Sequence, residues 1–306
     1  MPTSKKSHRG ELLLFLAAVI FAFNGVVAKW VLLSDISSIR LTEARTTGAT
    51  ILILLYLLIR KPQEIKIPRF LVRKMIIFGV IGVAAVQGFY FYSISKLPVS
   101  IALIIEFTAP IWITLYLRFV KKESVAKSMW YGLILGFGGL ILVGQVWQGL
   151  TLNGLGLISS IIDALSLAFY FYQASQLRKH VSGETLVLYG MGVTAIFFAI
   201  ISPWWSYPFH IFSDNITLTG RFSGHTAPGW TLILWVVIMG TVVPYVLVTT
   251  AMKDINASTA SIIGMLEPIF AGVFAWIMLG ETFNAIQMVG GAIVLVGIYL
   301  ADRAAA

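Results

Sequence analysis

The sequence predicts an all-α integral membrane protein of ten transmembrane helices, arranged as two inverted five-helix repeats. Three observations lead there. Hydrophobic residues make up 58% of the 306 positions, charged residues only 11%, and the mean hydropathy is +0.89, whereas a soluble domain carries about 25% charged residues. The apolar residues fall into ten stretches near the length that crosses a bilayer, about 20 residues each. The chain also holds a diverged second copy of itself. Displacing residues 97–139 by 158 positions lays Ala102 on Ala260, Pro110 on Pro268, Glu123 on Glu281, Gly132 on Gly290 and Gly139 on Gly297.

The first repeat, residues 1–150, holds the segments 11–33, 40–60, 74–95, 98–118 and 128–147. The first of these follows Lys5, Lys6 and Arg9, as a signal peptide would. It is too long for an h-region, however, and no small-residue cleavage site precedes Lys29, so it reads as a retained helix. The second repeat, residues 151–306, holds 154–178, 184–205, 229–252, 256–279 and 285–302, with a polar loop over 206–228.

Lysine and arginine set the orientation. With a cytoplasmic N-terminus, the inner side carries three in the tail, six in 60–74, four in 118–127, then Arg178, Lys179, Lys253 and Arg303. Those 17 stand against only Arg40, Lys96 and Arg221 outside, with Lys29 and Arg45 inside spans. This is a strong positive-inside bias. The net charge of +9 therefore reads as membrane topology and lipid-surface contact rather than nucleic-acid binding, and both termini are expected in the cytoplasm of an inner-membrane protein. Five helices per half make the second copy enter from the opposite side. The matched glutamates agree: Glu123 sits beside Lys121 and Lys122, while Glu281 in Leu279-Gly280-Glu281-Thr282 has no basic neighbour. Repeats of this kind are the architecture of secondary transporters, with the site at their interface.

The second copy, Ala260-Ser261-Ile262-Ile263-Gly264-Met265-Leu266-Glu267-Pro268 running on to Leu279-Gly280-Glu281 and the Gly290-Gly291 helix, resembles the C-terminal EamA repeat of the drug/metabolite transporter superfamily. The first copy, with Glu106-Phe107-Thr108-Ala109-Pro110, resembles its N-terminal partner, and that stretch is similar to the threonine/homoserine exporter group. The resemblance spans about residues 11–302. It implies ten helices, a central cavity between the repeats, alternating access without ATP, and often metabolite or amino-acid efflux. Its motifs belong to the scaffold and say little about cargo.

The residues point to the same chemistry. A carboxylate in a bilayer-spanning helix costs at least about 2.5–3.5 kcal/mol, and four fall within or near spans: Glu43, Glu106, Asp163 and Glu267. Glu106, Asp163 and Glu267 lie eight, nine and eleven residues from the starts of their segments. At about 1.5 Å per residue all three approach the midplane, where they would line a cavity, bind substrate or carry protons. Each also has a structural reading. Glu267 could bond backbone groups freed by Pro268, Glu106 could do so at Pro110, and Asp163 could pair with Ser159, Ser160 or Ser166. Glu43, near an interface, reads as solvated or paired with an arginine. Arg45, early in the second helix and followed by Thr46-Thr47-Gly48, could hold a helix carboxylate or a substrate carboxylate bidentately. Lys29 can snorkel to the outer surface.

Phe89-Tyr90-Phe91-Tyr92 and Phe169-Tyr170-Phe171-Tyr172-Gln173 offer an aromatic wall. Tyr90 and Tyr170 sit deep enough to contact substrate, with Asn24 aligning approximately with Tyr170. Tyr92, Trp204 and Trp205 read as interfacial belt residues. Pro110 and Pro268, with Trp112 and Trp276 on the same two helices, are expected to be structural or gating. Gly132 and Gly136 permit close helix approach, either within the chain or in a homodimer. Cysteine is absent and the four histidines are scattered, so no metal site is indicated. No phosphate-binding loop, HExxH or GxSxG is present, and no cofactor is expected. The expected partners are a small-molecule substrate and the lipid bilayer. An amino acid or small polar metabolite is the preferred cargo. An amphiphilic cation is the alternative, and a non-transporting receptor or channel is the competing class.

Overall fold

A computed structural model describes residues 8–34, 36–94, 96, 99–145, 147, 153–280 and 284–305. The first half runs through α1 (Arg9–Leu32), α2 (Ser38–Arg60), α3 (Arg69–Ile77), α4 (Ala85–Ile94), α5 (Val99–Glu106), α6 (Ala109–Leu115) and α7 (Lys127–Gly144). The second runs through α8 (Gly154–Leu177), α9 (Gly183–Ile201), α10 (Gly229–Val237), α11 (Val243–Ala251), α12 (Ala257–Gly264), α13 (Leu266–Phe274) and α14 (Ala285–Ala305). The polar loop carries a small antiparallel hairpin pairing Asn215–Thr217 with Thr226–Pro228.

Several of these pieces are collinear, joined by π-helical turns at Phe78–Ala84, Tyr116–Val120, Ile238–Val242 and Ala275–Leu279. Among the described residues eight helices are then long and apolar enough to cross a membrane, and two shorter apolar ones cover Lys127–Val143 and Ala285–Ala301. Side-chain oxygens of Ser37, Asn153, Ser182 and Asn256 accept backbone N–H groups at the starts of α2, α8, α9 and α12, satisfying donors that a helix start leaves open. Large apolar side chains such as Ile59, Phe119, Ile134, Ile196 and Ile200 are exposed, as lipid-facing positions must be. The protein is a multi-pass membrane protein.

The duplication is visible in local structure as well as in sequence. The break between α5 and α6 at Phe107–Thr108 and that between α12 and α13 at Met265 fall at matched positions. So do the π turns Tyr116–Val120 and Ala275–Leu279, within one residue of the 158-residue displacement. Pro110 and Pro268 do not bend a continuous helix from its middle. Each stands in the first turn of the second half-helix, α6 or α13, where a missing N–H costs nothing.

Equivalent helices α7 and α14 pack on each other. A methyl on Gly132 would meet the Gly297 carbonyl oxygen at 2.7 Å, and one on Gly139 would meet that of Gly290 at 2.7 Å. As one number rises the other falls, so the helices run antiparallel. The glycines read from sequence as a close-approach surface thus serve contact within the chain. Glu281 and Thr282 lie outside the described residues, as do Lys5 and Lys6.

The loops gather at two ends. At one, Gly10 packs on Ala251 and Asp254, and Gly183 on Thr249 and Thr250, while Lys61 Nζ reaches Glu184 at 2.9 Å and Tyr189 donates to the Ile65 carbonyl at 2.7 Å. At the other, Arg40 donates to the carbonyls of Ser202 (2.9 Å), Pro203 (3.1 Å) and Ser206 (3.0 Å). Both contacts tie α2 and its neighbouring loop to α9 and its neighbouring loop.

Candidate functional site

The interrupted helices set the central groups. Glu106 is the last residue of α5 and Glu267 lies in the first turn of α13, so both acids flank the matched breaks. Asp163 comes from the middle of α8 and is buried. Glu106 and Glu267 are half-buried, and among the described residues neither side chain makes a hydrogen bond. Both oxygens of Asp163 are buried without a partner. The serines that could have taken them bond elsewhere: Ser159 to the Phe89 carbonyl, Ser160 to Ser93, and Ser166 to the Ile162 carbonyl. The backbone-bonding reading of Glu106 and Glu267, and the serine reading of Asp163, are therefore not what this structure contains.

These acids share one electrostatic neighbourhood. Glu106 acts on Asp163, Tyr90 and Tyr245; Glu267 acts on Glu106, Arg45, Tyr90 and Tyr245; and Asp163 acts on Tyr90 and Tyr245. Asp163 sits on a different helix from the two break-point glutamates, and the fold brings all three together.

Arg45 is the cation of this cluster. Its Nε donates to the Thr241 hydroxyl and its Nη2 to the Gly240 carbonyl, both at 3.0 Å. The Gly240 carbonyl can take this bond because its helical partner four residues on is Pro244, which has no N–H to donate. Nη1 makes no hydrogen bond among the described residues. Asn24 packs against the same turn: a methyl on Gly240 would collide with its amide. Its Oδ1 is buried and unpartnered. The repeat-related contact is present too, since a methyl on Gly82 in the π turn Phe78–Ala84 would lie 3.4 Å from the Tyr170 Cα.

Tyr170 stacks on Phe78 with ring centres 5.4 Å apart and meets Tyr245 at 6.0 Å. Its hydroxyl is buried without a partner. A narrow, mainly apolar gap runs beside these rings, lined in part by Val83, Val187, Met191 and Thr249. Tyr90 is half-buried and packs edge-on against Phe91. Trp112 and Trp276 are exposed; Trp112 donates to Thr108 and Trp276 lies under the Arg221 guanidinium. Glu43 is fully buried and paired with Arg40 at 2.7 Å, so of its two expected environments the arginine pair is the one found.

Two residues escaped the sequence reading, Tyr245 and Gln87. Tyr245 interacts with Arg45 and all three acids. Gln87 lies one turn before Tyr90, buried, with both amide atoms unpartnered. A signal was available, because the 158-residue displacement lays Gln87 on Tyr245 and Gly82 on Gly240.

The profile of the EamA-like transporter family matches residues 8–145 and again 154–301. An uncharacterized transporter of Archaeoglobus fulgidus is 27% identical over 74% of each chain. The uncharacterized inner membrane transporter YicL of Salmonella typhimurium is 22% identical over 96% of this chain and 95% of its own. The threonine/homoserine exporter RhtA of Escherichia coli is 24% identical over 76% of this chain and 72% of its own. A crystal structure of a protein only 15% identical superposes with a TM-score of 0.76 over 97% of both chains, which establishes the shared fold.

Proposed function

We propose, since this chain belongs to the EamA-like transporter family, that it is a ten-helix secondary transporter of the cytoplasmic membrane which exports or exchanges amino acids or small polar metabolites. It works by alternating access, with both termini inside. The antiparallel contact of α7 with α14 and the matched breaks support inverted repeats that rock about the central cluster.

One observation carries the choice of cargo. Arg45 is fixed by two hydrogen bonds with Nη1 left over, opposite Glu267, Glu106 and Asp163. A zwitterion answers both sides, its carboxylate going to Nη1 and its ammonium to the acids. Unpartnered buried polar atoms on Asp163, Asn24, Gln87 and Tyr170 would be satisfied by a polar solute, and leaving them unmet is costly. In this reading Asn24, Tyr90, Glu106, Asp163, Tyr170 and Glu267 bind substrate, while Arg45, Pro110, Trp112, Pro268 and Trp276 serve structure or gating, with Arg45 also touching the substrate carboxylate. The acids are also the groups available to carry protons. Resemblance to a threonine/homoserine exporter agrees with the cargo class.

Amino-acid counterflow in proteoliposomes tests this, with a labelled panel, an imposed pH gradient and a Glu106→Gln variant. Saturable exchange that the variant loses is the expected result, and a response to the gradient adds proton coupling. No exchange by folded protein across the panel defeats the amino-acid reading and favours amphiphilic cations, which three acids against one arginine would also accommodate.

A further inference from the structure

We propose that a basic cleft at the end of the molecule where the Lys/Arg loops gather binds a phosphate-bearing anion, presented by an anionic phospholipid headgroup. The cleft is separate from the central cluster and does not depend on the cargo. Its volume is about 510 Å³, within the range of small-molecule sites and larger than a bare phosphate fills. Its cations come from three segments: Lys66 from the loop after α2, Arg178 and Lys179 between α8 and α9, and Lys253 after α11. The first belongs to one half of the chain and the others to the second half.

The donors are arranged rather than merely accumulated. Arg178 is half-buried, its Nε donating to the Thr249 carbonyl at 2.6 Å and its Nη1 to the Val181 carbonyl, and Nη2 makes no hydrogen bond among the described residues. Three carboxylates neighbour these cations. Glu184 accepts from Lys61 at 2.9 Å; Glu64, itself on the cleft wall with Oε2 buried and unpartnered, lies 3.7 Å from the same ammonium; and Asp254 acts on Arg178. Against them stand Lys61, Lys66, Arg178, Lys179 and Lys253. Lys179 donates to the neutral Gln176. Among the described residues Lys66 and Lys253 form no ion pair. Positive charge is thus left over, and donors converging from three directions match a tetrahedral anion with several acceptor oxygens.

Lipid is favoured over free phosphate by what borders the cleft. Phe70 is 61% exposed and packs edge-on against His180 of the cleft wall, 5.8 Å between ring centres. Ile59, at the end of α2 just before the same loop, is 76% exposed. Apolar side chains facing outward beside a basic cleft mark the boundary where acyl chains meet headgroups, and basic residues at that depth attract anionic lipid.

The test uses purified full-length protein in neutral detergent. Dioctanoylphosphatidylglycerol, dioctanoylphosphatidylcholine and inorganic phosphate are titrated in turn, reading the thermal midpoint and the apparent Kd. The expected result is saturable stabilisation by the phosphatidylglycerol and none by the phosphatidylcholine. In a Lys66→Gln/Lys253→Gln variant the apparent affinity falls about twenty-fivefold, since each basic residue near the surface contributes about fivefold. An unliganded midpoint and elution volume equal to wild type show that the variant folds. If inorganic phosphate reproduces the shift with the same loss in the variant, the anion site stands and its source is free phosphate. Equal effects of the two lipids, or wild-type affinity in the variant, overturn the proposal.

Discussion

Arg45 Nε lies 3.0 Å from the Thr241 hydroxyl, a contact that joins α2 of the first half to the π turn of the second. With the Gly240 carbonyl taking Nη2, the guanidinium is held in one orientation on the acids. An Arg45→Lys variant cannot make both contacts and keep a donor free, because an ammonium is a point charge on a flexible stem. Counterflow should therefore fall at least tenfold in folded Arg45→Lys protein. Thr241→Val removes one charge-assisted bond and should raise KM about tenfold with little loss of maximal rate.

Asp163 is buried with neither oxygen bonded, an arrangement that costs stability. Asp163→Asn should raise the thermal midpoint by about 2 °C or more while lowering transport. A midpoint that falls would mean the carboxylate is a structural element and not a site held at the expense of the fold.

The glycine contact between α7 and α14 makes a paired prediction. Gly139→Leu forces a side chain against the Gly290 backbone and should destabilise by about 1–3 kcal/mol. Gly138 has nothing within 4 Å of its would-be Cβ, so Gly138→Ala should be neutral or gain up to about 1 kcal/mol. Thermal unfolding of the two variants in one detergent checks both.

The loop end held by Arg40 should respond to alkaline pH through Tyr207. Burial pushes the Tyr207 phenol up to about 12, the Glu43 carboxylate adding to the effect and Arg40 opposing it. A phenol raised on folding contributes stability that is fully present below its ordinary value near 10 and is lost as pH rises to about 12. The midpoint should fall across that window, and fall less steeply in Tyr207→Phe.

Much of this protein was legible in its sequence because the bilayer is a simple solvent. Spans must be apolar and about 20 residues long, charges must sort by side, and a buried carboxylate must have a reason to be there. Those constraints act on single segments, so composition and spacing exposed the helices, the duplication, and Glu106, Asp163 and Glu267 as unusual. Tertiary structure alone decided what surrounds them. That Ser159, Ser160 and Ser166 turn away from Asp163, that Pro110 and Pro268 begin half-helices, and that Tyr245 and Gln87 belong to the central region all depend on contacts between segments far apart in the chain. The orientation of Arg45 is the clearest case. It rests on the Gly240 carbonyl, left without a helical donor by Pro244 almost two hundred residues away, and no local pattern around Arg45 encodes it.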